Sequence, residues 1–448
     1  MMESTAKEPA SAALGAFGAS SGAIPAPVLQ HGKRSLLNVF GTALGSARSL
    51  AAERAVRVMA TLSGAGEATV IGRSERLRPA QAAFVNAISM NLLDFDDTHL
   101  PTIIHPSSPV APVALALGEE LGSTGAEVLA AFVLGAEVAC RIGNMVSPGH
   151  YARGWHITST CGTFGAAAAA AKLLGLDAAQ AAHALGIASS LAAGNVENLP
   201  TAGKNASMGH AARGGILAAY LAREGYEAAP TALEGRLGWA RACGDAPDVE
   251  RALNDLGRTW ELQLNAIKPY PCGIVFHAEI DACLELSREH GLQPVDIDQV
   301  IVRGDTLFIA RGDRVVRTAG DARVSLHHVA AVSLVRGRAG VGEFEQECVD
   351  EPEIAAFRAK VRGELDAALP PGAVTVELRV RDGRTLSRTV EHARGSIERP
   401  MSDAEIEEKG RTLAASGGTA CDFDRIAALV WQIDELPDVR GLMEAVRA

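Results

Sequence analysis

Gly125-Ala-Glu-Val-Leu-Ala-Ala-Phe-Val-Leu-Gly-Ala-Glu-Val-Ala-Cys-Arg141 brings its apolar residues back every three and four positions, the period of one helix face. The remaining positions are largely Ala and Gly, so neighbouring helices must approach closely and be buried on several sides. The same texture runs from about Leu29 to Trp260, broken by Gly and Pro. Asp177 reads as the N-cap of a further helix, and the Ala-rich run at 164–174 reads as packed helix although Lys172 interrupts it. Aromatics make up only 4% of the chain, which favours close-packed helices over a β-sandwich.

After Pro269 the texture changes. A helix is expected from near His277 to His290, and Asp298-Gln-Val-Ile-Val-Arg-Gly304 reads as a strand. Residues 373–391 alternate on both sides of Asp382-Gly383, a hairpin signal. Ser402 with Glu405 forms a capping box that restarts helix. The expected fold is mainly α with a smaller α+β domain. Residues 1–269 begin a large all-helical domain, 270–400 form the smaller α/β unit, and 401–448 return to the helices. Residues 1–25 are rich in Ala, Ser and Gly, and the extreme end is expected to be loose.

The net charge is −11 with no basic block, so nucleic acid is not an expected partner. No apolar run is read as reaching the roughly 18 residues that span a bilayer, so no membrane is expected either. The N-terminus lacks a basic n-region, and the seven cysteines are scattered without a CxxC pair. Both point to a reduced, cytoplasmic protein.

Polar residues gather in five breaks between the apolar segments: Asp94 to Ser108, Gly149 to Thr160, Thr201 to His210, Lys268 to Gly273 with His277 beyond, and Ser325 to His328. Enclosed polar groups of this kind must be hydrogen-bonded or they cost stability, so each break is either a structural network or part of a site. The chain has only seven lysines, and two of them, Lys204 and Lys268, fall in these breaks. An ammonium suits carboxylate binding or proton transfer. His105 and His156 are the acid/base candidates, whereas His99 and His150 read as loop residues. His327-His328 reads as a helix start and Cys272 as a structural thiol. A divalent metal at Asp96 and Asp97 would need a second carboxylate cluster, and none accompanies them, so no metal is expected. There is no GxGxxG after a strand, no Walker loop, no GxSxG and no HExxH. What remains is acid/base chemistry without a cofactor.

Asp94-Phe-Asp-Asp-Thr-His99 with His105-Pro-Ser-Ser108, Gly154-Trp-His-Ile-Thr-Ser-Thr160 and Lys268-Pro-Tyr-Pro-Cys-Gly273, in this order, resemble the MmgE/PrpD family. That family includes 2-methylcitrate dehydratases, cis-aconitate decarboxylases and iminodisuccinate epimerases. The resemblance implies a homodimer whose α/β unit is a lid, with the active site in the cleft between lid and helical domain. It implies that Asp94, Thr98, His105, His156, Lys204 and Lys268 line that cleft, with Ser207, Tyr270 and His277 as further substrate-binding candidates. The expected reaction is dehydration of a small 2-hydroxy di- or tricarboxylate such as 2-methylcitrate. An epimerase or a decarboxylase would use the same groups. Lys204 and Lys268 would hold carboxylates, His105 and His156 would exchange protons, Asp94 would orient a neighbouring His or Lys, and Thr98 would donate a hydrogen bond. Two positions depart from the pattern. Ser207 stands where the family often has His, three residues after the first lysine. Gly273 stands where the decarboxylase branch has His, five residues after the second.

Overall fold

The structure, a computed structural model, describes residues 8–63 and 66–448. The expected looseness of residues 1–7 lies outside the described residues. The chain forms two compact units. One comprises Met1–Leu92, Asp96–Asn265 and Ser402–Ala448, and the other Leu93–Phe95 and Ala266–Met401. The architecture is mainly helical with a smaller α+β part.

The larger unit is built on α1 (Ala26–Ser46), α2 (Pro79–Asn91), α3 (Ser107–Leu121), α4 (Gly125–Val146), α5 (Ile157–Leu173), α6 (Ala178–Ser189) and α7 (Ala202–Arg223). It is not purely helical, because Ala68–Thr69 pairs antiparallel with Arg76–Leu77. Helix α4 starts at a capping box: Thr124 Oγ1 accepts from the Glu127 amide at 3.2 Å, and Glu127 Oε2 accepts from the Thr124 amide at 2.8 Å. Asp177 caps α6 as expected, accepting from the Gln180 amide at 2.8 Å. Helices α4 and α5 cross at Gly135 and Gly165, where a Cβ on either residue would lie 2.6 Å from the other's carbonyl oxygen. Only glycine allows that approach.

Contrary to the sequence expectation, α4 is by length and composition apolar enough to cross a bilayer. However, 94% of its most apolar window is buried inside the unit. It also carries a buried ion pair, with Arg141 Nε 2.7 Å from Glu137 Oε1. The remaining Arg141 donors reach the carbonyls of Ala252, Asn254 and Thr259 at 2.9, 2.9 and 2.7 Å. The guanidinium therefore pairs with Glu137 through Nε and holds the 252–259 backbone through its two terminal nitrogens. The capping box at Ser402 forms, and the helix Asp403–Ser416 packs against α1 with Ile406 and Leu413 buried. Lys409 Nζ donates to Asn38 Oδ1 at 2.7 Å, tying the two ends of the chain into one unit.

The smaller unit holds strands β1 (Ile297–Gly304), β2 (Val361–Leu365), β3 (Val374–Val380) and β4 (Thr385–Val390), in the order β2-β1-β3-β4. β1 runs parallel to β2 and antiparallel to β3, and the β3–β4 hairpin turns at Asp382-Gly383 as expected. Val300, Val302, Val374, Val376 and Leu378 are buried in one core with residues of α8 (His277–His290) and α9 (Leu326–Arg336). Such half-covered strands show period-two alternation. In keeping with this, Arg303 bridges Glu364 and Glu377 at 3.1 Å each among the less buried positions. α9 begins just before His327-His328, and Ser325 caps it.

Candidate active site

Within the larger unit, His105 and His156 stand immediately before α3 and α5, and Lys204 lies in the first turn of α7. Two links gather these three helix N-termini. The His105 amide donates to Thr158 Oγ1 at 3.2 Å, joining the starts of α3 and α5. Gly194 joins the starts of α5 and α7: its carbonyl accepts from the His156 amide at 3.1 Å. Its φ is +129°, and a Cβ there would lie 2.0 Å from Ser159 Oγ and 3.3 Å from Ser207 Cβ. The starts of α3 and α5 have no side-chain cap, whereas Thr201 Oγ1 accepts from the Gly203 amide at the start of α7; free amides and helix dipoles make such a place favourable for anions.

The imidazole of His105 is held at Nδ1. The Asp97 carbonyl lies 3.0 Å away, Asp96 Oδ1 3.3 Å and Thr98 Oγ1 3.3 Å. A carbonyl only accepts, so Nδ1 carries the hydrogen and Nε2 is the nitrogen that takes up or releases a proton. Asp96 is fully buried, and its Oδ2 accepts from Asn91 Nδ2 at 2.8 Å and from Ser108 Oγ. Asn91 Oδ1 in turn accepts from Asn205 Nδ2 at 3.1 Å. Hydrogen bonds therefore run from the residue beside Lys204 through Asn91 to Asp96, whose other oxygen lies 3.3 Å from His105 Nδ1. Oδ2 of Asp97 accepts from Ser107 Oγ at 2.6 Å and Asn265 Nδ2 at 2.7 Å, the pattern of a network rather than of a hard-ion shell. Burial pushes the Asp97 carboxyl up to about 6, helped by the adjacent Asp96 charge and opposed by Ser107, His105 and Ser35.

His156 is buried, with Nδ1 3.3 Å from Ser159 Oγ. Lys204 is buried, and Ser207 Oγ donates to the Lys204 carbonyl at 2.6 Å. The turn entering this region is strained. Ile103, a β-branched residue, has φ +58°, held by its amide donating to the His99 carbonyl at 2.8 Å.

The smaller unit holds the other candidates. Lys268 is buried, and Nζ donates to the Asp94 carbonyl at 3.0 Å and to Oδ1 at 3.2 Å. Asp94 presents both oxygens to one ammonium because its backbone is left-handed, with φ +52°. Tyr270 donates its hydroxyl to Asp281 Oδ1 at 2.6 Å, and its ring meets that of His277 edge-on at 5.3 Å. Cys272 is buried, and burial pushes its thiol up, away from the reactive thiolate.

Two readings need correction. His99 and His150 are not loose loop residues; both are fully buried. The His99 nitrogens bond Thr102 Oγ1 at 2.6 Å and Glu261 Oε2 at 2.9 Å. Those of His150 bond the Cys243 carbonyl at 3.1 Å and Thr160 Oγ1 at 2.8 Å. Burial, and for His99 also Arg251, holds both below the ordinary imidazole range, His150 to about 4. Sequence reasoning also missed Asn91, Thr158, Gly194 and Asn205 as supports of the site. Their one signal was a polar or glycine residue in otherwise apolar surroundings.

The chain matches the MmgE/PrpD N-terminal domain over residues 16–252 and the MmgE/PrpD C-terminal domain over residues 270–435. It is 30% identical over 456 residues to a cis-aconitate decarboxylase of Aspergillus terreus, covering 94% of this chain and 92% of the relative. It is 29% identical over 429 residues to the cis-aconitate decarboxylase of Homo sapiens, covering 92% and 88%. The Mus musculus enzyme of that name is 28% identical over 430 residues, covering 92% and 87%. With both family domains matched in order along nearly its whole length, the chain belongs to the MmgE/PrpD family.

Proposed function

We propose that the chain is a lyase that acts by proton transfer on a small polycarboxylate. The observation that carries this reading is the convergence of three helix N-termini on His105, His156 and Lys204. It combines an attraction for carboxylates with groups able to exchange protons. The likeness to cis-aconitate decarboxylases favours loss of carbon dioxide over the dehydration expected from the motifs. In a substrate of the cis-aconitate type, one carboxylate sits on the saturated carbon next to the alkene. Its C–C bond breaks, carbon dioxide leaves, and the electron pair forms a new alkene. The former alkene carbon, next to a remaining carboxylate, takes up a proton. Negative charge gathers on that carboxylate before protonation, and an ammonium stabilises it. We assign this charge stabilisation to Lys204 and Lys268, and the proton to Nε2 of His105 or to His156. Asp96 stabilises the His105 imidazolium, and Asp94 orients Lys268.

One observation favours the dehydratase as a second reading. Gly273 brings no imidazole, and a Cβ built there lies 3.0 Å from the Phe276 ring. In that reaction a base takes the proton α to a carboxylate and an acid protonates the departing hydroxyl. NMR in deuterated water with cis-aconitate, methylcitrate, citrate and iminodisuccinate separates the readings. A terminal alkene with deuterium in the adjacent methylene marks decarboxylation, loss of the hydroxyl marks dehydration, and exchange alone marks an epimerase. No turnover and no exchange with any of them would sink the substrate class. The homodimer remains a proposal, tested by sedimentation velocity.

A further inference from the structure

The Asp97 carbonyl and His105 Nδ1 come within 3.0 Å across eight residues because the chain between them turns back on itself. Backbone bonds close that turn. The His99 amide donates to the Ile104 carbonyl at 2.7 Å, and the amides of Thr102 and Ile103 donate to the His99 carbonyl at 3.3 and 2.8 Å. Against them stands Ile103, whose φ of +58° a β-branched residue adopts at a cost. The side chain of His99 spans the turn from within. It is fully buried, with Nδ1 2.6 Å from Thr102 Oγ1 and Nε2 2.9 Å from Glu261 Oε2. Burial works against the Glu261 carboxylate, yet His99, Asn144 and Arg141 together hold its carboxyl below the usual range. A charged carboxylate only accepts, so Nε2 of His99 carries the hydrogen. Burial favours the neutral ring, so Nδ1 accepts from the Thr102 hydroxyl. Segment 261–265 grips the turn twice more. The Leu264 carbonyl accepts from the Leu100 amide at 3.3 Å, and Asn265 Nδ2 donates to Asp97 Oδ2 at 2.7 Å.

We propose that His99 is a positioning residue for His105: its imidazole ties Thr102 to Glu261, holds the strained turn closed and so keeps the Asp97 carbonyl on His105 Nδ1. A histidine that merely filled the core could take its partners anywhere. This one takes them at the two sides of the single turn that ends in His105. The tautomer of an imidazole is set by the bond its other nitrogen makes, and that bond here comes from a main-chain carbonyl at the mouth of the turn. It is therefore fixed only while the turn is fixed. Cutting the tie lets Ile103 leave its left-handed conformation, and the carbonyl then no longer dictates which nitrogen of His105 holds the hydrogen.

The consequence for turnover rests on the acid/base reading of His105, but its tautomer can be read without substrate. The full chain, labelled with 15N-histidine, is studied by long-range 1H–15N correlation at about pH 8, where an ordinary imidazole is neutral. His105 is assigned by the signals lost in His105→Gln, and the parent should show it as the Nδ1–H tautomer alone. Thr102→Val removes the hydroxyl at nearly constant size, and His99→Gln keeps an amide facing Glu261 but leaves Thr102 without its partner. Either should spread His105 over both tautomers and lower kcat about tenfold, with KM within about twofold of the parent. Both cut one tie, so the double variant should fall no further than the single ones. If His99→Gln fails to fold, Glu261→Ala, at a side chain partly open to solvent, cuts the same tie from its other end. Glu261→Gln, which still accepts from Nε2, should restore the single tautomer. A parent with mixed His105 tautomers, a folded Thr102→Val or Glu261→Ala chain that keeps one tautomer, or a double variant whose losses multiply would overturn the proposal. Full activity in His105→Gln would overturn the acid/base reading of His105 and leave these spectra untouched, so the two failures are separable.

Discussion

Replacing Asp96 by Asn tests the link between the buried network and the chemistry. The substitution keeps the size of the side chain and removes its charge. Its Oδ2 accepts from Asn91 and Ser108, so the amide oxygen should take that place and leave the NH2 group facing His105 Nδ1. The charge removed lies 3.3 Å from Nδ1. With an effective dielectric constant of about 20, an ion pair at that distance is worth at most about 5 kcal/mol. The Asp97 carbonyl stays and local water reorganises, so a third to a half of this should be felt, roughly 1.5–2.5 kcal/mol. The protonated form of the His105 imidazole should lose that much stabilisation. If protonated His105 takes part in the slow step, kcat should drop by about 10- to 100-fold. Donor facing donor also favours the other imidazole tautomer, which would deepen the loss. The assay is an NMR titration of the His105 ring proton, assigned with His105→Gln, together with kcat against pH on whichever substrate turns over. An Asn variant with the parent's His105 titration and the parent's kcat would refute the idea that Asp96 controls this imidazole.

Arg141→Leu leaves Glu137 buried and unpaired and frees three backbone carbonyls, so it should cost about 3–5 kcal/mol, read from the shift in urea midpoint. His150 is held at about 4 in the folded chain, against about 6.5 when unfolded. The unfolded state therefore binds the proton first. The stability that neutral His150 supports is complete above about pH 6.5 and declines as pH falls, by up to about 3 kcal/mol near pH 4. His150→Gln should flatten that part of the pH–stability curve, and a curve parallel to the parent's would contradict it. Gly273→His forces a Cβ against the Phe276 ring, so thermal unfolding should show a destabilisation of about 1–3 kcal/mol. Pairing it with Phe276→Leu should recover part of that loss.

Much of the architecture was legible because it depends on local periodicity. The three-and-four spacing in α4, the cap at Asp177, the hairpin at Asp382-Gly383 and the box at Ser402 are short-range signals, and each appears where expected. The site was legible in part. Polar residues set among apolar helices marked the candidate segments, but composition does not say which polar group faces which. His99 and His150 carry the same side chain as His105 and lie in similar breaks, yet both their nitrogens are consumed by structural partners.

By itself, then, the sequence determined the helical texture, the mainly α fold with a smaller α+β part, and the family, because period, caps and motif order are properties of neighbours along the chain. Tertiary structure alone decided the partners. Asp96 stands at His105, Asp94 faces Lys268, and Gly194 draws the starts of α5 and α7 together. The physical reason is that a hydrogen bond extends about 3 Å, while the residues it joins here lie up to 174 positions apart. Only folding brings them within that reach.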